Sequence, residues 1–238
     1  CTFCLTGRDN LCRNKTGFGG SRDGGLAEYV RAPEWNIIPL ADSISIIDAA
    51  SVPISYMTVW HMLVSRAHVK PGDTVLVNAA GSGVGIAGIQ IAKLFNARVI
   101  ASAGSDNKLA KAKQLGADDV INYSTQTLHQ EVMRITNNYG VDIVVDSLSG
   151  NLAEQSIESL VVGGRFVNCG CTLGNWTTIN LARMLSKEAS VLGSVMGTKQ
   201  DLIEALKFVS EGKLKAVIDQ IFPLSKTRDA VAYIADRK

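Results

Sequence analysis

One strand–turn–helix passage constrains this chain more than any other feature. Thr74-Val75-Leu76-Val77-Asn78 has buried-strand character and is led in by the turn Lys70-Pro71-Gly72-Asp73. It runs into Ala79-Ala80-Gly81-Ser82-Gly83-Val84-Gly85, and apolar residues at helical spacing follow at once over Ile86 to Asn96. Gly83, Gly85 and Gly88 satisfy G-x-G-x-x-G, a weak pattern alone but an informative one between a strand and a helix. So small a turn lets backbone approach a bound group closely. The open amides of the helix N-terminus then face an anion, and the pyrophosphate of a dinucleotide suits that geometry.

The same alternation continues downstream. Strands are expected at Arg98–Ser102, Asp119–Tyr123, Val141–Ser147, Arg165–Cys169 and Ser190–Ser194. Helices are expected between them at Asp106–Leu115, Leu128–Asn137, Leu152–Val161 and Leu181–Ala189. Six apolar strands separated by helices of about ten residues specify an α/β fold, a doubly wound parallel six-stranded sheet with helices on both faces. The flanks differ. Residues 1–45 are turn-rich, with strand-like pieces at Ala27–Arg31 and Asn36–Pro39, while the tail from Thr198 offers a helix to Glu211, a strand Ala216–Phe222 and a helix after Lys226.

Composition excludes several classes. With 46% hydrophobic residues over 238 positions, disorder is excluded. Lys+Arg 24 against Asp+Glu 22 leaves a net charge of +2, so there is no basic footprint for nucleic acid. No apolar run reaches the roughly 18–20 residues needed to span a bilayer. Five cysteines, an odd number, do not form a disulfide scaffold and point to a reducing, cytoplasmic setting. The start shows neither a signal peptide nor an initiator Met, so an N-terminally truncated chain is expected.

Cofactor choice falls to the end of the second strand, where a carboxylate would hold a ribose 2′-hydroxyl. The segment Ser102-Ala103-Gly104-Ser105 has none there. Ser105 and Lys108 offer a hydroxyl and a cation, which suit a 2′-phosphate; the bland alternative is that Lys108 is an ordinary surface lysine. Asp106 reads as the N-cap of the next helix. NADP(H) is therefore expected over NAD(H).

Cys1-x-x-Cys4 and, after seven intervening residues, Cys12 have metal-ligand spacing, since thiolates on adjacent turns share one tetrahedral Zn²⁺. A structural site takes four ligands. Either the fourth precedes residue 1 or these are unliganded thiols.

Together these residues resemble the medium-chain dehydrogenase/reductase family. Cys1 to Cys12 resembles the structural-zinc lobe of zinc-type alcohol dehydrogenases from its second cysteine onward, and Gly24-Gly25-Leu26-Ala27-Glu28-Tyr29-Val30 resembles a strand of the GroES-like catalytic domain. Ala79 to Gly85 and Leu115-Gly116-Ala117-Asp118-Asp119-Val120-Ile121-Asn122-Tyr123 resemble the Rossmann coenzyme domain. The resemblance covers nearly the whole chain. It implies a GroES-like remnant over residues 1–55, a coenzyme domain over 56–197 and a segment over 198–238 returning toward the catalytic domain.

The resemblance also implies site roles. The last motif glycine falls on Gly85, with Ala80 and Ser82 in place of earlier glycines, so Ser82, Gly83, Val84 and Gly85 hold the phosphates. Ser102, Gly104, Ser105, Lys108 and Tyr123 surround the adenosine ribose and its 2′-phosphate. Thr58, Ser147, Gly170, Cys171, Thr172, Gly193, Ser194 and Met196 line the nicotinamide side. Zinc would be held by Cys1, Cys4 and Cys12.

Departures from the alcohol dehydrogenase pattern matter for activity. A catalytic-zinc ligand position falls near Ile54, which cannot ligate, and Ser51 to His61 is closer to quinone and enoyl reductases. His61 is expected as a packed or surface helix histidine. The leading expectation is hydride transfer between NADPH and a carbonyl, quinone or activated C=C, with no catalytic acid identified in this chain. A zinc-dependent alcohol dehydrogenase is the alternative enzyme, and a non-catalytic nucleotide-binding protein the alternative class. Upstream sequence would discriminate them, and this chain alone is expected to bind cofactor without turnover. Ser190–Ser194, an unblunted apolar edge strand, is expected to pair with its twin in a homodimer, with a tetramer a further option.

Overall fold

In the computed structural model, residues 1–235 are described. Six strands form one parallel sheet: β1 (Thr74–Val77), β2 (Arg98–Ala103), β3 (Asp119–Asn122), β4 (Val141–Asp146), β5 (Leu160–Asn168) and β6 (Ser190–Gly193). The spatial order is β3-β2-β1-β4-β5-β6, so the winding direction reverses between β1 and β4. A doubly wound sheet opens its ligand crevice at the carboxyl ends beside such a reversal.

The helices are α1 (Thr2–Leu5), α2 (Ile46–Ser51), α3 (Pro53–Trp60), α4 (Gly83–Leu94), α5 (Asp106–Gln114), α6 (Leu128–Ile135), α7 (Gly150–Glu158), α8 (Leu181–Lys187), α9 (Lys199–Ser210) and α10 (Thr227–Ala235). Period-two geometry divides each strand between two cores. Val75, Val77, Val99, Ala101, Ile143, Val145 and Val167 pack on the side of α3, α4 and α9. Leu76, Ile100, Val144 and Phe166 face the opposite layer, where α6 and α7 supply Leu128, Val132, Ala153 and Ile157. Both faces are thus apolar, as a covered parallel sheet requires. Among the described residues no helix is long and apolar enough to cross a membrane.

α3 continues into a π-helical stretch, His61–Arg66, whose leading Trp60 stacks on Phe208 of α9 with centroids 5.4 Å apart. Past α9 the chain is gripped at Lys215. Gln90 of α4 accepts from its amide at 2.9 Å and donates to its carbonyl at 3.1 Å, and Tyr56 donates to the same carbonyl at 2.5 Å.

Several expectations require correction. Residues 27–31, 36–39 and 216–222 form no strands. Tyr29 is 91% exposed and Ile221 63% exposed, and none of the three segments has a ladder partner among the described residues, without which an alternating sequence has nothing to hold it extended. β5 begins at Leu160 rather than Arg165, with its pairing to β4 shifting register between Val141 and Ile143 around Gly163-Gly164. Gly163 and Gly164 sit at a bulge inside the strand. β6 does lie at an edge of the sheet.

Candidate nucleotide-binding site and cysteine lobe

A cleft of about 810 Å³ opens at the carboxyl ends of the strands. Gly81, Ser82 and Gly83 form its floor after β1, Lys108 and Tyr123 line one end, and Ser147 and Thr172 line the other. The tail closes one side with residues 217–220, Phe222 and Tyr233.

The floor explains its own sequence. A Cβ on Gly85 would sit 2.2 Å from the Ala79 carbonyl oxygen, so only glycine permits α4 to press against the end of β1. Gly88, by contrast, faces the Val77 side chain in the helix body, so the register implied by the resemblance, ending at Gly85, describes the turn better than the literal pattern ending at Gly88. Ser82 is the N-cap of α4, its Oγ accepting from the Gly85 amide at 3.0 Å, and the first intrahelical bond runs from Ile86 N to Ser82 O. The amides of Gly83 and Val84 precede that bond and carry the positive end of the helix dipole toward the cleft. This floor fits a pyrophosphate.

At the end of β2, Gly104 lies against the Tyr123 ring, where a Cβ would meet Cε2 at 3.1 Å. The Lys108 stem crosses Gly81, 2.8 Å from the position of its would-be Cβ. Ser105, not Asp106, is the N-cap of α5. Asp106 instead accepts from Asn122 Nδ2 at 2.7 Å. Ser102 does not line the cleft. It is fully buried, and its hydroxyl donates to Asn78 Oδ1 at 2.8 Å.

That contact belongs to a buried polar belt beneath the cleft. Asn78 Nδ2 donates to Asp146 Oδ1 at 3.0 Å and to Ser156 Oγ at 2.9 Å. Asp146 Oδ2 accepts from Asn168 Nδ2 at 2.8 Å and from the amides of Leu148 and Ser149 at 3.2 and 2.9 Å. Four strand ends and the loops they launch are thereby fixed together. Ser149, held at φ 62° and ψ −159°, donates to the Gly170 carbonyl at 3.0 Å, and Thr172 Oγ1 donates to the Ser147 carbonyl at 3.0 Å. Of the belt, Asp146 and Asn168 escape a motif search. Their signal is modest: a polar residue closing an otherwise apolar strand.

The remaining expected residues divide. Thr58 is buried on α3, beside Met57, whose carbonyl would lie 2.6 Å from a Cβ on Gly197. Gly193, the last residue of β6, and Met196 beyond it are exposed, Ser194 is buried, and Cys171 is exposed after β5. Gly170 rests on the Ser147 backbone. Burial pushes the neighbouring Cys169 thiol up to about 11, with the Asp146 charge adding to the effect, so it stays protonated and unreactive.

In the lobe, Cys1 Sγ lies 3.6 Å from Cys4 Sγ and 3.9 Å from Cys12 Sγ, and the three sulfurs lie within 4.8 Å of one another. Tetrahedral Zn²⁺ with Zn–S bonds of about 2.3 Å sets its sulfurs about 3.8 Å apart, so the thiols fit three corners of such a site. The Asn14 amide holds the Cys12 thiol below its ordinary range, and the bond to Cys12 holds Cys4 above it. Among the described residues no fourth His, Cys, Asp or Glu joins the group.

Residues 83–211 match the family described as zinc-binding dehydrogenase. The chain belongs to that family. It is thus a medium-chain dehydrogenase/reductase, as the order of motifs implied. Quinone oxidoreductase-like protein 2 of Bos taurus is 33% identical over 224 residues, covering 90% of this chain and 64% of that protein. A structure titled as an NAD-dependent alcohol dehydrogenase superposes with a TM-score of 0.94 at 43% identity, covering 100% of this chain and 69% of its own. The cobalt- and zinc-bound thermostable alcohol dehydrogenase of Pyrobaculum aerophilum gives a TM-score of 0.85 at 29% identity, covering 98% and 67%. This zinc-binding dehydrogenase chain therefore spans about 64% of the length of the curated relative.

Proposed function

We propose that the cleft binds NADP(H) and that the protein containing this chain transfers hydride between NADPH and a carbonyl, quinone or activated C=C compound. One observation carries the reading: a side-chain-poor helix N-terminus opens onto the cleft whose far end is lined by Lys108 and Tyr123. When bound, the nicotinamide supplies the hydride. The amides of Gly83 and Val84 would hold the pyrophosphate, Lys108 would offset the charge of a 2′-phosphate to which Ser105 could donate, and Tyr123 would bound the ribose. Ser147 and Thr172, linked to each other, orient the opposite half. Zinc held by Cys1, Cys4 and Cys12 would stabilise the lobe.

The relative at 43% identity is titled NAD-dependent, which sharpens the test. Fluorescence titration of NADPH and NADH is expected to favour NADPH, and Lys108→Ala to weaken NADPH selectively by about 1–3 kcal/mol. Equal affinities in the unaltered chain would overturn the cofactor assignment. An alcohol dehydrogenase with catalytic zinc is the second enzyme reading, but Ile54, 61% exposed on α3, offers that metal no ligand.

We infer a homodimer through β6. Its outward Val191 and the exposed Leu181 and Leu185 of α8 continue the unpaired edge with apolar surface. Light scattering at micromolar concentration is expected to give twice the chain mass, and Val191→Lys to halve it.

A further inference from the structure

We propose that Asn10 is a positioning residue. Held in one orientation by the His61–Asp201 pair, it ties the cysteine lobe to the Ser194–Met196 loop on the nicotinamide side of the cleft. The proposal rests on the reading of the cleft as a dinucleotide site.

Donor and acceptor logic orders the chain of contacts. Asp201 is held as a carboxylate: burial pushes its carboxyl up, but bonds from His61, Thr198 and Ser65 outweigh that and keep it down at about 2. A carboxylate only accepts, so His61 Nδ1, 2.8 Å from Asp201 Oδ2, must carry its proton there. In the neutral ring Nε2 is then an acceptor, 3.4 Å from Asn10 Nδ2. The same amide nitrogen donates to the Val195 carbonyl at 3.0 Å. Both amide hydrogens are thereby used, and reversing the side chain would set Oδ1 against the Val195 oxygen. Asp201 fixes the histidine tautomer, the histidine fixes the amide, and the amide fixes the loop.

The surroundings make this junction more than a chance contact. Asp201 and Thr198 form the capping box that starts α9, Ser65 donates to Asp201 Oδ1 at 2.7 Å, and the α9 amide of Lys199 donates to Asp9 Oδ2 at 3.1 Å. Lobe residues 9 and 10 thus dock side by side on α9 and on the loop after β6. His61 opens the π-helical stretch, an irregularity that recurs at functional positions. Met196 in the tethered loop holds φ 50°, a strained value for its side chain. Asn10 Oδ1 and Ser194 Oγ, on either side of the Val195 contact, are both buried without a hydrogen-bond partner. Such unmet capacity is tolerated where a site has been shaped for something other than stability.

Two measurements test the role, using Asn10→Ala and the isosteric Asn10→Asp, which keeps the packing but cannot donate to Val195. In the ligand-free chain, amide hydrogen exchange over residues 193–197 is expected to accelerate about tenfold in both variants while that of β1 is unchanged. Unchanged exchange at 193–197 would overturn the proposal whatever the cleft binds. Affinity for NADPH is expected to fall about tenfold while affinity for 2′,5′-ADP, which lacks the nicotinamide half, holds within about twofold. Parallel loss of both, or NADPH affinity undiminished in Asn10→Asp, would reduce Asn10 to a structural or space-filling residue. If the unaltered chain bound neither nucleotide, the dinucleotide reading would fall, and the exchange result would still decide the tether.

Discussion

The belt beneath the cleft and the flanks of the molecule treat their side chains in opposite ways. Asn78, Ser102 and Asp146 are fully buried, and each finds its hydrogen-bond partners among the strand ends, the loops they launch and α7. Leu26, Tyr29 and Trp35 in the leading flank, and Val231 and Ile234 in α10, turn large apolar groups outward. The difference separates two sources of order. The nucleotide half supplies its own contacts, whereas the flanks keep surface suited to contact with something further.

The largest test of that contrast is Asp146→Ala. It would take one acceptor from each of the Asn78 and Asn168 amides and leave the Leu148 and Ser149 backbone donors without theirs, and is expected to cost about 3 kcal/mol in urea unfolding. Tyr29→Ser, an exposed change in the flank, is expected within about 0.5 kcal/mol of the unaltered chain. Comparable losses at both positions would dissolve the distinction.

Gly85→Ala asks whether the floor is as rigid as its packing implies. A methyl placed 2.2 Å from the Ala79 carbonyl must push α4 away from β1. About 1–3 kcal/mol of stability is expected to be lost, together with nucleotide affinity, by thermal melting and titration. Retained affinity would mean the turn has slack.

A smaller effect comes from pH. The Asp201 carboxyl lies at about 2 in the folded chain against an ordinary 3.8. Its contribution is therefore complete above pH ~4 and lost as pH falls toward ~2. Acid unfolding of Asp201→Asn, which lacks that contribution at neutral pH, is expected to show a shallower decline across this window.

The sheet was legible because its strands are apolar on both faces and its turns are marked by Gly, Pro and Asp. Boundaries blurred where glycine departs from its usual meaning. Gly83 starts α4 three residues before the apolar spacing begins at Ile86, and Gly163-Gly164 sits within β5 rather than ending an element. The phosphate turn was legible as a motif. Lys108, Tyr123, Ser147 and Thr172 do converge on the cleft, but Ser102 does not, because a strand-end hydroxyl reads alike whether it faces ligand or core. The pairing of His61 with Asp201 was not legible at all, since 140 residues separate partners joined only by the packing of α9 on α3.

The grip of Gln90 on Lys215 makes α4 a common reference for two parts of the cleft. Its first turn presents the floor, and two turns along, about 10 Å away, its side chain mimics a neighbouring strand toward the tail. A second hold, Lys111 on Asp219 at 3.4 Å, comes from α5. The aperture is therefore gauged by three side chains, Gln90 and Tyr56 at Lys215 and Lys111 at Asp219. Shortening Gln90 by one methylene would alter the spacing of the jaws without touching either jaw.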